Sequence, residues 1–266
     1  MNKPSRNDTS WQKVGQWYDN IVGYWGHHYH QQVIIPNVLR LLQLQKESRL
    51  LDLACGQGVL ARHIPQDVSY VGVDGAKSLI KQALVYHAKD KERIFLHADI
   101  TKPLSFPKDV AKLKPFTHST ILLALQNIQR PDLVLQELKL HLAPGGTLVF
   151  VLNHPCFRIP RQSHWGFDEA TKIQYRRMNG YMSEQKIPIQ AHPGKKESSD
   201  MSWSFHQPLS YYFDCLQKAG FVVTALEEWC SDKTSTGKAA TWENRARSEF
   251  PLFLAIKASY QSQNHQ

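Results

Sequence analysis

The sequence predicts an α/β domain whose parallel strands deliver functional groups to one edge of a buried sheet. Four observations carry that prediction. Leu50, Leu51 and Leu53 form an apolar run suited to a strand buried on both faces. Gly56 and Gly58 follow, letting the backbone turn sharply and approach a ligand with no side chain in the way. Val59-Leu60-Ala61 then opens a helix whose first N–H groups point into the same cavity. Finally, three successive predicted strands end in an acid, at Asp52, Asp74 and Asp99, 22 and 25 residues apart. Ligands of open α/β sheets sit at these carboxyl ends.

The run Asp52-Leu53-Ala54-Cys55-Gly56-Gln57-Gly58 resembles the first motif of the class I S-adenosylmethionine-dependent methyltransferases, acid-x-glycine-x-glycine-x-glycine, with Ala54 in place of the first glycine. The resemblance covers roughly residues 33–152 and 208–258. It implies a Rossmann-like, seven-stranded mixed sheet with helices on both faces and an antiparallel last strand. It also implies S-adenosylmethionine as cofactor and S-adenosylhomocysteine as product. Carried over position by position, the implied cofactor residues are Asp52, Ala54, Cys55, Gly56 and Gly58 in the first motif. Asp74 and Gly75 stand at the ribose, Asp99 and Ile100 at the adenine, Leu123 and Ala124 at the fourth strand, and Tyr18 in an N-terminal segment.

Length and composition bound the remainder. At 266 residues one domain spanning 1–266, with an embellishment, is the expectation. No apolar run approaches membrane-spanning length, and the polar start Met1 to Ser10 lacks the apolar stretch of a signal peptide. Cys55, Cys156, Cys215 and Cys230 are scattered without Cys-x-x-Cys pairs or metal spacing, so a reduced cytoplasmic setting is expected. The net charge of +9 is spread along the chain rather than gathered in a block.

Taken in order, residues 1–33 read as an N-terminal lid. Trp11, Trp17, Tyr18, Tyr24, Trp25 and Tyr29 crowd it, together with His27, His28 and His30. Only His27 and His30 share a helical face, so no metal is expected. Polar lining of a substrate mouth and plain packing of a lid are the two readings. Val33 to Leu44 has the apolar spacing of a helix lying on a sheet, with Pro36 tolerated in its first turn. Strand one, the glycine loop and a short helix follow. Tyr70–Val73 forms strand two, Lys77 to Ala88 an amphipathic helix, and Ile94 to Ile100 strand three. Thr120–Leu125 is strand four. Its exit, Gln126-Asn127-Ile128, lacks the Asp/Asn-Pro-Pro-Tyr/Phe tetrad by which the resembled amine methyltransferases hold a base. Pro131 opens a helix reaching about Leu142, and Pro144-Gly145-Gly146 precedes strand five at Thr147–Leu152.

Residues 153–207 break the pattern with 55 residues of little periodicity, rich in aromatics and arginines. A stretch this long inside a domain is functional or disordered, and its aromatic content argues for order. It reads as an inserted substrate cap, with room for a small hairpin. Pro208 to Ala219 is a helix, Phe221–Leu226 strand six and Leu252–Ala258 strand seven. Between these two strands, 227–251 reads as a mobile loop.

Methyl transfer from a sulfonium needs the acceptor aligned and water excluded, and a histidine is the usual group where a proton must leave. His154, directly after strand five, is the first candidate base and His30 the second. A purely structural His154 is an equal alternative. Asn127, Arg158, Arg161 and Trp165 are the candidate acceptor contacts, the arginines suiting a carboxylate or phosphate. Three functions follow: methylation of a small, anionic or aromatic molecule; methylation of RNA, which the +9 charge favours; and a cofactor-binding regulator without catalysis.

Overall fold

The computed structural model describes residues 11, 12, 14, 15, 22–90, 92–190 and 201–262. A wide turn over His30–Ile34 leads into helix α1 (Ile35–Leu42), with Pro36 in its first turn. Strand β1 (Arg49–Leu53) is followed by β2 (Ser69–Asp74), α2 (Lys77–Tyr86), β3 (Arg93–His97) and the short α3 (Lys108–Ala111). Next come β4 (Phe116–Leu122), α4 (Pro131–Leu138) and β5 (Leu142–Asn153). The insertion holds β6 (Ser163–Asp168), β7 (Ile173–Met178), β8 (Gln185–Gln190) and β9 (Met201–His206). Helix α5 (Leu209–Lys218), β10 (Phe221–Trp229), α6 (Ala240–Glu249) and β11 (Phe253–Tyr260) complete the elements.

Seven strands form one sheet in the order β10-β11-β5-β4-β1-β2-β3. β1 to β5 pair in parallel, whereas β11 runs antiparallel to both β5 and β10. The chain winds outward from β1 through β2 to β3, then returns to place β4 on the other side of β1. The crevice above β1 and β4 is therefore the switch point where ligands of such sheets bind.

Side-chain alternation assigns the two faces. Leu51, Leu53, Leu148, Phe150 and Leu152 pack beneath α4 and α5, while Leu50, Tyr70, Val149 and Val151 pack beneath α1 and α2. Every one of these nine side chains is at most 1% exposed. A strand buried on both faces reads as a continuous apolar run for this reason, which is how β1 and β5 show themselves in the sequence.

Four expectations are corrected. The helix after the glycine loop is one 3₁₀ turn, Leu60–His63, because Ile64 precedes Pro65 and is held extended at ψ 131°. The Pro144-Gly145-Gly146 turn lies inside β5 as a bulge, with Phe116 paired to Leu142 and His118 to Thr147. The insertion is more ordered than expected, forming the antiparallel hairpins β6–β7 and β8–β9. The largely exposed strands β6 and β7 lack the apolar alternation that announces a sheet packed on a core. Finally, 227–251 is not a plain loop, since it carries the end of β10 and all of α6. Only Ala246 of α6 is buried, so no apolar stripe signals the helix. Ser235 anchors it instead, its N–H donating to Asn244 Oδ1 at 2.7 Å and its hydroxyl to Glu243.

Candidate functional site

A cavity of about 220 Å³ opens above the ends of β1, β2 and β4, with Ala54, Gly56, Asp74, Ile100, Leu123 and Asn127 among its walls. Gly75, Leu79, Ala124 and Ile128 join them, and Trp11 closes it from the N-terminal segment. That segment is tied down by Gln12, whose Oε1 accepts from Ser78 N–H at 3.3 Å and whose carbonyl accepts from Ser78 Oγ at 3.4 Å.

Asp74 is the polar centre of the cavity. Its Oδ2 accepts from Gly56 N–H at 2.8 Å and its Oδ1 from Ala76 N–H at 2.7 Å. Burial raises its pKa and these two bonds oppose the rise. A carboxylate has about four acceptor positions, so two remain for ligand hydroxyls. Ala54 (φ 56°) and Leu123 (φ 52°) both hold left-handed backbone at the cavity wall, a conformation that costs non-glycine residues on the order of 1–3 kcal/mol and gathers at functional sites. Leu123 is kept there by its N–H to Val151 O at 2.8 Å and by the side chains of Gln126 and Asn127 on its carbonyl.

A second recess of about 40 Å³ adjoins the glycine loop and is lined by His30, Asp52, Cys55 and Gln57. Asp52 accepts from Tyr70 Oη at 2.6 Å and Thr120 Oγ1 at 2.8 Å, and burial pushes its pKa up to about 6. His30 Nδ1 and Gln57 Oε1 are buried without a partner among the described residues. Burial, then the neighbouring His27, lowers His30 to a pKa of about 4, leaving a neutral ring at pH 7. Burial holds the Cys55 thiol well above its ordinary pKa, so it is no nucleophile.

Other expected residues stand elsewhere. Gly58 faces the core, where an added Cβ would lie 2.8 Å from the Phe95 ring. Asp99 does not line the cavity: Thr101 N–H (3.0 Å), Thr101 Oγ1 (2.6 Å) and Lys102 Nζ (3.0 Å) occupy its carboxylate. Burial pushes its pKa up, but those bonds outweigh the effect and leave it below the ordinary value. A short acidic side chain readily closes such a turn on its own backbone. Only Ile100 of that pair reaches the cavity.

His154, expected to face the pocket, is 1% exposed and turned away from it. Its Nε2 lies 2.6 Å from Glu228 Oε1 and its Nδ1 accepts from Cys156 N–H at 3.2 Å, so both nitrogens are used in fastening the turn after β5. Trp165 lies on β6, stacked by Arg176 at 5.0 Å and edge-on to Phe250 at 5.5 Å. Arg161 is an exposed residue with left-handed backbone (φ 61°). Arg158 lines a third recess together with Gln126, Asn153 and His206. Tyr18 lies outside the described residues. Among the described residues no group of His, Cys, Asp or Glu side chains is placed to hold a metal ion.

The sequence reading missed Trp11, Leu79 and Ile128 as cavity walls. Trp11 was visible only as one of many lid aromatics, and the other two look like ordinary apolar positions.

This geometry, an acid on β2 above a glycine loop at the switch point, is matched in sequence by the family model described as Methyltransferase domain, over residues 25–226. The chain belongs to that family. It is a methyltransferase, and S-adenosylmethionine is its methyl donor. The cavity of the methyltransferase has room and chemistry for such a cofactor: Asp74 leaves two acceptor positions open, and Leu79, Ile100 and Ile128 are apolar walls. Among solved structures, an S-adenosylmethionine-dependent methyltransferase from Mesorhizobium loti is similar at 24% identity and TM-score 0.62, over 84% of this chain and 96% of that one. A chain from the complex containing the Haloferax volcanii Trm112 methyltransferase activator is similar at 17% identity and TM-score 0.62, over 97% and 98%. The glycopeptide N-methyltransferase MtfA, complexed with S-adenosylmethionine, is similar at 13% identity and TM-score 0.56, over 93% and 97%. No curated protein matches the chain in sequence.

Proposed function

We propose that this methyltransferase transfers the methyl group to a small molecule held between the cofactor cavity and the inserted cap. One observation carries the reading. The turn Leu125–Asn127 after β4 has Asn127 in the cofactor cavity and Gln126 in the third recess, and the cap strand β9 packs on that turn through Ser204 Oγ to Gln126 O at 3.4 Å. An acceptor reaching from the recess to the cavity is thus roofed by the insertion, which suits a small molecule better than a duplex.

The bound cofactor supplies an electrophilic methyl on a sulfonium. The chain's part is to position and to exclude water. Asp74, Gly56 and the walls Leu79, Ile100 and Ile128 fix the donor, while Trp11 shields it from the lid side. His154 has no nitrogen to offer, and a ring with a pKa of about 4 makes His30 a weak base at neutral pH. Alignment rather than proton removal is the proposed source of rate. The protein is incubated with methyl-labelled S-adenosylmethionine and either a metabolite extract or total RNA. Label in a low-molecular-mass product supports the reading; label confined to RNA overturns it.

A further inference from the structure

The third recess holds an unneutralised cation. Arg158 lines it beside Gln126, Asn153 and His206, and its guanidinium has no hydrogen-bond acceptor or carboxylate in reach among the described residues. A second cation, Arg176, feels its charge: the Arg176 pKa falls through burial and then through Arg158. Arg176 is already committed, donating through Nε to Phe157 O at 2.9 Å and through Nη2 to Ser163 Oγ at 2.7 Å while stacking on Trp165. Arg158 is exposed to water on one side, yet crowded enough by protein that burial lowers its pKa as well. Arg158 therefore keeps its N–H donors for an anion entering the recess it lines.

The size of the recess narrows the choice. At about 20 Å³ it is far smaller than the 220 Å³ cofactor cavity, so it can receive the head of a larger ligand but not the whole. Gln126 Oε1, buried and without a partner, lines the same space and would accept from a hydroxyl or amine beside that head. Because Asn127 of the same turn borders the cofactor cavity, a head fixed at Arg158 directs the rest of the molecule toward the methyl donor.

We infer that the acceptor is an oxyanion-bearing small molecule, a carboxylate or phosphate, whose anionic head is anchored by Arg158 in the recess beneath the cap. This inference rests on the small-acceptor reading above. It excludes Arg161 as a partner in the grip, since that side chain does not line the recess. A planar guanidinium offers two parallel N–H donors to such a head, which a lysine cannot reproduce.

The test reads the side chain directly. In ¹⁵N-labelled protein saturated with S-adenosylhomocysteine, the Arg158 Nε–H resonance is assigned by its loss in Arg158→Lys, then followed during titration with acetate, inorganic phosphate and neutral acetamide. The Arg158 resonance is expected to shift and saturate with acetate, phosphate or both, with an apparent Kd at least tenfold below that for acetamide, while exposed Arg177 shows only a linear drift. Acetate against phosphate tells which head the recess prefers. A shift at Arg158 that is linear and no larger than that at Arg177 overturns the inference. In the transfer assay, Arg158→Ala is expected to raise acceptor KM at least tenfold with cofactor Kd and Tm unchanged; an unchanged KM also overturns it. Label found only in RNA, with the anion titration still saturating at Arg158, removes the small-acceptor reading alone.

Discussion

At the scale of single residues, the two buried carboxylates of the glycine loop do different work. Asp74 faces the cavity and also ties down Gly56 and Ala76, so Asp74→Ala removes ligand acceptors and leaves two N–H groups unpaired. Hydrogen bonds to charged groups are worth about 1.5–3 kcal/mol each. Cofactor affinity by calorimetry is therefore expected to fall at least tenfold, and denaturant midpoints are expected to show a loss of stability as well; an unchanged Kd would place the ribose elsewhere. Asp52 lies one layer behind and holds its proton until about pH 6. Because this folded-state pKa stands above the ordinary 3.8, the native state binds more protons than the unfolded chain between the two values. Stability contributed by Asp52 is thus full below about pH 4 and lost as pH rises toward 6 and above. At 1.36 kcal/mol per pH unit the difference is on the order of 3 kcal/mol. Asp52→Asn is expected to flatten that part of the stability–pH curve, and a curve parallel to the parent's would refute the assignment. Gly58 combines φ 75° with a Phe95 ring 2.8 Å from any added Cβ. Overpacking costs about 1–3 kcal/mol, so Gly58→Ala is expected to lower Tm by several degrees without touching a cavity wall.

At the scale of elements, the lid and the cap are held by quite different means. Residues 11, 12, 14 and 15 touch the body through Trp11 over the cavity, buried Val14, and Gly15 against Ser78. A Cβ on Gly15 would stand 2.5 Å from Ser78 Oγ and push apart the long Gln12–Ser78 bonds. Those bonds are worth about 0.5–1.5 kcal/mol each at best. Gly15→Ala is therefore expected to weaken cofactor binding roughly fivefold with little change in Tm, as seen by titrating tryptophan fluorescence. Equal affinity in the variant would mean that Trp11 covers the cavity without contributing to binding. The cap, in contrast, is fastened by aromatic contacts, Phe157 and Trp165 on Phe250 and Phe167 on Trp242. The helix α6 that the loop composition of 227–251 concealed thus serves as the cap's support.

At the scale of the whole molecule, the winding of the sheet decides where chemistry happens, and charge decides little. The net +9 is dispersed. An RNA held through 6–10 phosphates would lose 10³–10⁵ in affinity between 50 and 200 mM salt, whereas an acceptor gripped by one arginine is expected to keep its KM within about tenfold over that range. The sequence by itself determined the seven strands of the central sheet and the acids at or just beyond the ends of β1, β2 and β3. A doubly buried parallel strand must be an unbroken apolar run, and a glycine loop leaves its mark within seven residues. Asp74 at the cavity wall was legible from that local grammar, and Ile100 and Leu123 through the family resemblance. What only the tertiary structure decided depends on groups far apart in the chain. His154 meets Glu228 across 74 residues and is thereby spent, and among the described residues no carboxylate is brought to Arg158. Local periodicity records which face of an element is buried, but not which partner arrives on that face. The position of Trp11 over the cavity and of Arg158 in its recess are facts of packing, set by the closure of the sheet and the folding of the insertion over its carboxyl edge.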